Sequence, residues 1–234
     1  MENHKTNQSN LQKDKLIEKA CQIADDIFSE LSLFIKADMT EVSIKEKILS
    51  LIETSEADGP SFQPIVASGK NAAHPHWEAT DKILEQGDFV VIDMGVSYKE
   101  YASDMTRTIS IGSPDQKHKQ VYDVVLKALE LGNEAMRPGT TAHEVDRVVR
   151  DYIKAEGFGE YFVHATGHGV DKDVHSTPVL RPNDETIIEE GMIITIEPGI
   201  YIPNELGCRI EDTILINKSE NIILTKTTKV IIEV

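Results

Sequence analysis

Apolar residues recur at helical spacing from Leu11 to about Ile35. Leu16, Ala20, Ile23, Ile27, Leu31 and Phe34 share one face, which predicts a long amphipathic helix. A second helix is expected over residues 41–54, with Thr40 as cap and Val42, Ile44, Ile48 and Leu51 as its apolar face. Gly59-Pro60 breaks that pattern. Residues 61–68, 89–94 and 105–111 read as strands. Ser113-Pro114 then opens a helix, serine as cap and proline at the first helical position, which stops at Arg137-Pro138-Gly139. Thr141 and Glu144 have capping-box spacing, and the helix they start ends near Gly157. Short strands and loops follow from Tyr161, and residues 1–10 read as a short disordered tail.

One pattern occurs twice. Gly87 is followed by an apolar run, Asp93 and Gly95; Gly191 is followed by an apolar run, Glu197 and Gly199. A second acid precedes each returning strand: Asp104 before Met-Thr-Arg-Thr-Ile and Glu211 before Asp-Thr-Ile-Leu-Ile. Two helices lead into each acidic hairpin. This predicts an α+β chain built from a duplicated helix-plus-hairpin unit, with the two hairpins facing each other. No linker composition separates the halves, so residues 11–234 are expected to form a single domain.

Hydrophobic residues make up 40% of the chain and charged residues 27%, which argues against disorder. Forty acidic residues stand against 24 basic ones, a formal charge of −16. That excess repels phosphate backbones, so no nucleic-acid partner is expected. Cys21 and Cys208 lie far apart and outside any C-x-x-C pattern, so a reducing compartment is expected rather than a disulfide framework. The polar N-terminus and the absence of any apolar run of membrane-span length point to a cytoplasmic chain that is neither exported nor membrane-embedded.

The candidate chemistry lies in the hairpins. A carboxylate at the end of a solidly apolar strand is expensive to bury without a partner. Backbone donors or an arginine could satisfy Asp93 or Glu197 alone; four acids on two matching hairpins are better neutralised by divalent cations, and oxygen-rich ligation suits manganese and similar ions. His168, between Gly167 and Gly169, can be presented closely as a ligand, with His164 and His175 as proton-handling neighbours. His76 lies just past a strand and a Ser-Gly turn, where function often resides. Four carboxylates and one imidazole fit a two-metal site, which can activate a shared water and polarise a carbonyl without a protein nucleophile. Neither a G-x-S-x-G elbow nor a phosphate-binding glycine loop is present.

These residues resemble the pita-bread metallopeptidases, within them the aminopeptidase P and prolidase branch. The match runs over about residues 60–234. It is carried by Val-Ala-Ser-Gly-Lys-Asn with Pro75-His76, Val-Ile-Asp93-Met-Gly with Tyr101-Ala-Ser-Asp104-Met-Thr-Arg-Thr, His164-Ala-Thr-Gly-His168-Gly, Glu197-Pro-Gly-Ile-Tyr201 and Gly-Cys-Arg209-Ile-Glu211-Asp-Thr. The resemblance implies a curved antiparallel sheet with pseudo-two-fold symmetry. It implies two divalent metal ions, manganese foremost with cobalt or zinc as alternatives, and hydrolysis of the N-terminal peptide bond, chiefly Xaa-Pro, by a metal-bridging hydroxide. The substrate would be a peptide with a free N-terminus, and a homodimer is compatible with the family.

The resemblance also assigns roles. Asp93 and Glu197 fall at one-metal ligand positions, Asp104 and Glu211 at bridging positions, and His168 is the nitrogen ligand. Glu197 matches the group that accepts the water proton. His76, His164 and His175 match substrate-contacting and proton-shuttling histidines, Arg209 an arginine supporting the site, and Tyr201 a tyrosine close to the metals. Methionine aminopeptidases share the fold and the ligands but usually carry Phe-Glu-His at the last ligand, where this chain has Arg209-Ile-Glu211-Asp212. A methionine aminopeptidase and a non-catalytic peptide-binding module on the same fold are the alternatives. The chain departs from the usual pattern at Asp171 and Glu100, where glycines are typical, and at Ser176, where glutamate is. Asp171 and Ser176 bracket the segment expected to shape the substrate pocket. About sixty residues precede the first motif, so no separate N-terminal domain is expected.

Overall fold

The computed structural model describes the backbone of residues 2–234 and the side chains of residues 12–234. Helix α1 spans Glu2–Phe34, so it covers the stretch expected as a tail; Met1 lies outside the described residues. Its buried face is Ile17, Ala20, Ile23, Ile27 and Leu31, continued by Ile35 just past the helix, while Phe34 is exposed. Helix α2 spans Glu41–Thr54, and Thr40 caps it in a reciprocal box with Ser43. Such a cap is worth about 1 kcal/mol. Helix α3 spans Gln116–Ala135, and helix α4 spans Ala142–Ala155 behind the expected Thr141–Glu144 box.

The start of α3 corrects an expectation. The cap is Asp115, whose side chain accepts from the His118 amide. Ser113 instead donates its hydroxyl to Glu233 near the C-terminus, at 2.7 Å. A carboxylate at the cap satisfies an orphan amide and meets the positive end of the helix, so it outcompetes the earlier serine.

Each half has its own core. In the first, α1 and α2 pack Ile27, Leu31, Ile44 and Ile48 against Val90, Ile92, Met105 and Ile109. These last four lie on the antiparallel strands Phe89–Met94 and Met105–Ser110, with Ile65–Ser68 on the other flank. The expected strand over 61–68 thus begins only at Ile65. In the second half, α3 and α4 pack Val121, Val125, Val145 and Val149 against Ile194, Ile196 and Ile214. Strands Ile193–Ile196 and Asp212–Leu215 pair there as the matching hairpin, within a five-stranded sheet that includes Gly167–Gly169 and Ser176–Leu180.

The hairpins differ in register. Asp93 pairs with Thr106, two residues beyond Asp104, whereas Ile196 pairs with Asp212, so the next step of that ladder sets Glu197 opposite Glu211. A shift of two residues keeps side chains on the same face of a strand, so both acid pairs still point one way. The Glu211 amide donates to the Thr106 carbonyl at 3.0 Å and joins the halves at the level of the acids. Glu100 stands at φ 72 beside Lys99 at φ 49, in the tight turn between strands Val96–Tyr98 and Tyr101–Ala102. Positive φ at both turn residues explains why glycine suits this position.

Candidate active site

The five expected ligands meet at one place, a cavity of about 360 Å³ lined by Asp93, Asp104, His168, Glu197 and Glu211 together with His76, His164, His175 and Arg209. Donor atoms of Asp104, His168 and Glu211 lie within 4.8 Å of one another. His168 Nε2 stands 3.4 Å from a Glu197 oxygen and 3.5 Å from an Asp104 oxygen. Its other ring nitrogen lies 3.1 Å from the Gly169 carbonyl, which fixes the Nδ1–H tautomer and turns the Nε2 lone pair towards the carboxylates.

Lone pair and carboxylates repel unless something positive stands between them. Among the described residues, no hydrogen-bond partner reaches two buried carboxylate oxygens, Asp93 Oδ1 and Glu211 Oε1. Burial first, and then the neighbouring acids, push Asp104 and Glu211 well above the ordinary carboxylate range. Glu197 is pushed up to about 8, by burial against the pull of Arg209. Burial lowers the His168 pKa, which keeps its imidazole neutral. Orphaned oxygens, a neutral imidazole with a free lone pair and an all-O/N donor set fit divalent cations.

Arg209 supports this group from behind. Its guanidinium donates to Asp93 Oδ2 at 2.6 Å, to Thr106 Oγ1 at 3.1 Å, to the Tyr201 hydroxyl at 2.8 Å and to the Pro75 carbonyl at 3.2 Å. With every arm of its fork engaged it orders the site rather than reaching into the cavity. Thr106 passes the contact on, donating its hydroxyl to Glu211 Oε2 at 2.8 Å. Tyr201 accepts from Arg209 and donates to His164 Nε2, also at 2.8 Å, while His164 Nδ1 lies 2.7 Å from the Ala165 carbonyl. Both ring nitrogens of His164 are therefore engaged within the protein, and burial next to Arg209 pushes its pKa down to about 3. The His175 ring packs tilted against that of His168, with ring centroids 4.6 Å apart.

A family model described as metallopeptidase family M24 matches residues 15–218. The chain belongs to metallopeptidase family M24. Over 218 residues it is 48% identical to a protein of Pyrococcus horikoshii named Xaa-Pro dipeptidase, covering 93% of this chain and 62% of that one. Among solved structures, an Xaa-Pro dipeptidase from Bacillus anthracis superposes with a TM-score of 0.93 at 41% identity, covering 95% of this chain and 63% of that one. A prolidase from Pyrococcus furiosus gives 0.91 at 46% identity, covering 93% and 64%. The fold is the pita-bread fold of these neighbours. The chain spans about three-fifths of the length of the curated relatives it matches.

Within this M24 site several residues were not singled out by sequence reasoning. Thr106, in the sequence no more than a motif position after Asp104, links Arg209 to Glu211. Thr213 donates to the Asp104 carbonyl at 2.7 Å and holds the start of that strand. Phe62, Ile65 and Val179 form an apolar wall of the cavity. Of the two departures near the pocket, Ser176 is a lining residue, whereas Asp171 faces Lys13 of α1 at 3.5 Å. The glycines around His168 also serve another purpose than expected. A Cβ on Gly167 would lie 2.0 Å from the Thr195 carbonyl oxygen, and one on Gly169 would lie 2.3 Å from that of Thr177. They admit the neighbouring strands, and the strands hold the histidine.

Proposed function

We propose that this chain is a dinuclear-metal-dependent aminopeptidase that removes the first residue of peptides, with Xaa-Pro bonds preferred. The observation carrying this reading is the convergence of four carboxylates and one imidazole lone pair on one cavity, two of the carboxylate oxygens lacking any protein partner. Relatives named Xaa-Pro dipeptidase support the substrate class. Asp93, Asp104, His168, Glu197 and Glu211 would hold two divalent ions, manganese in the first place. Such a pair supplies a water of lowered pKa and a Lewis acid for the peptide carbonyl.

The chain's own residues do the rest. Glu197, partly exposed at the cavity, would accept the proton of the attacking water and return it to the leaving amine. His175 and His76 line the cavity and would donate to the carbonyl oxygen as it gains charge. His164, neutral and tied to Tyr201, keeps that side of the pocket in shape without adding charge. The apolar wall of Phe62, Ile65 and Val179 suits a ring such as proline. Residues 11–234 would work as one catalytic unit. A cytoplasmic location belongs to the same reading and is supported by Cys21 and Cys208, both buried and free.

The test is direct. The purified protein is analysed for metals and assayed with manganese on the dipeptide Ala-Pro and on Ala-Pro-Pro and Met-Ala-Ser. Two ions per chain and preferential release of alanine from Ala-Pro-Pro are expected. Preference for Met-Ala-Ser would make it a methionine aminopeptidase, cleavage of the dipeptide Ala-Pro alone would make it an Xaa-Pro dipeptidase, and cleavage of none of the three by the metal-loaded protein would leave a binding module.

A further inference from the structure

The first residue of α2, Glu41, is fully buried and lies outside the acidic cluster. Six donors surround its carboxylate. Oε1 accepts from the Ser68 amide at 2.7 Å, the Ser68 hydroxyl at 2.8 Å and Asn71 Nδ2 at 3.0 Å. Oε2 accepts from Trp77 Nε1 at 3.0 Å, the Thr80 amide at 3.0 Å and the Thr80 hydroxyl at 2.8 Å. Every one of these donors belongs to residues 68–80, the segment between the strand Ile65–Ser68 and the Leu84 region that carries His76 into the cavity. Burial acts to raise the Glu41 pKa, and the hydrogen bonds from Trp77, Ser68 and Asn71 outweigh it, so the group titrates below the ordinary glutamate value.

The segment is short of regular structure. A single 3-10 turn, Gly69–Ala73, is followed by loop, so its shape depends on side-chain partners. His76 stands between two of the fixed points: the Pro75 carbonyl accepts from Arg209, and the Trp77 indole donates to Glu41. Gly207 adds a third contact, packed so closely that a Cβ there would lie 1.7 Å from the Ala72 carbonyl oxygen.

We propose that Glu41 is a positioning residue that sets the place of His76 in the cavity by gathering residues 68–80 around one buried carboxylate. Its role in turnover rests on the hydrolase reading above; its hold on the segment does not. An amide cannot replace it. Glu41→Gln keeps one acceptor oxygen and turns an NH2 group towards donors such as the Trp77 indole and the Thr80 amide, which cannot reverse.

Trp77 is the only tryptophan, so its fluorescence reports on this contact directly. In metal-loaded Glu41→Gln with unchanged circular dichroism and metal content, the emission maximum should move to longer wavelength and acrylamide quenching should increase. Emission and quenching equal to wild type would overturn the proposal. With Ala-Pro-Pro as substrate, Glu41→Gln should lower kcat/KM by about 10-fold or more, but by less than about 2-fold when introduced into His76→Ala. Full losses that multiply in the double variant would overturn action through His76. Should Glu41→Gln fail to fold, Glu41→Asp, which keeps the charge on a shorter arm, is read in the same cycle against the same two outcomes. A wild-type protein that cleaves no Xaa-Pro peptide would sink the hydrolase reading, and Trp77 emission alone would then decide for or against Glu41.

Discussion

At the scale of single residues, the partnerless buried oxygens of Asp93 and Glu211 and the free lone pair of His168 each have a reason to meet a cation. Asp104 and Glu211 bring carboxylate oxygens within 4.8 Å of the His168 imidazole, and burial pushes both well towards protonation. Asp104→Asn removes a negative charge from the ligand set, so metal content should fall clearly below two ions per chain by elemental analysis; an unchanged value would take Asp104 out of that set. Glu197→Gln keeps volume and one oxygen but cannot take a proton. It should lower kcat on Ala-Pro-Pro by about 10²–10⁴-fold, and turnover within twofold of wild type would remove its role as proton carrier.

At the scale of elements, precision comes from helices holding loops. Besides Glu41 on α2, α4 carries Asp146, buried and paired through both oxygens with Arg150 at 2.7 and 3.0 Å, one turn away. The same carboxylate accepts from Thr166 at 2.8 Å, and Arg150 donates to the carbonyls of Phe162 and His164 at 3.1 and 2.9 Å. One helical pair thereby ties down the segment leading to His168. Asp146→Ala strands Arg150 and the Thr166 hydroxyl, at a cost of about 2 kcal/mol, discounted from a fully buried pair because Arg150 is 28% exposed. A lower urea midpoint with an unchanged slope checks this; an unchanged midpoint contradicts it.

At the scale of the whole molecule, stability, pH and metal are linked. A carboxyl whose pKa is higher in the folded chain than in the unfolded one stabilises the fold at low pH, and that contribution is lost as pH rises between the two values. For Glu197 the window runs from its ordinary 4.5 to about 8, and Asp104 and Glu211 shift in the same direction. Metal-free protein should therefore melt at a lower temperature at about pH 8 than at about pH 5. Manganese needs the ionised carboxylates, so it should raise the melting temperature more at the higher pH. Differential scanning fluorimetry at the two pH values checks this, and an equal manganese shift at both would contradict it.

Much of this could be read along the chain. Helical spacing gave α2 and α4 with their caps, because a cap is a local contact between residues three apart. The repeat of glycine, apolar run and acid marked both hairpins, because strand burial leaves a period that survives in one dimension. The five candidate ligands carried the same signal: a costly charge at the end of an apolar strand. Other features depend on partners far away in sequence. The Asp115 cap won because its carboxylate meets the first turn of α3, while Ser113 bonds to Glu233, far along the chain. His164 reads in the sequence as a free proton carrier, and the fold ties it to Tyr201, which Arg209 holds in turn. Glu41 read as one more acid at a helix start, and only the folded chain brings six donors to it. Local patterns thus determined the elements and the acids, while tertiary contacts decided which side chains are free to act, since a hydrogen bond is spent on whichever group the fold brings within reach.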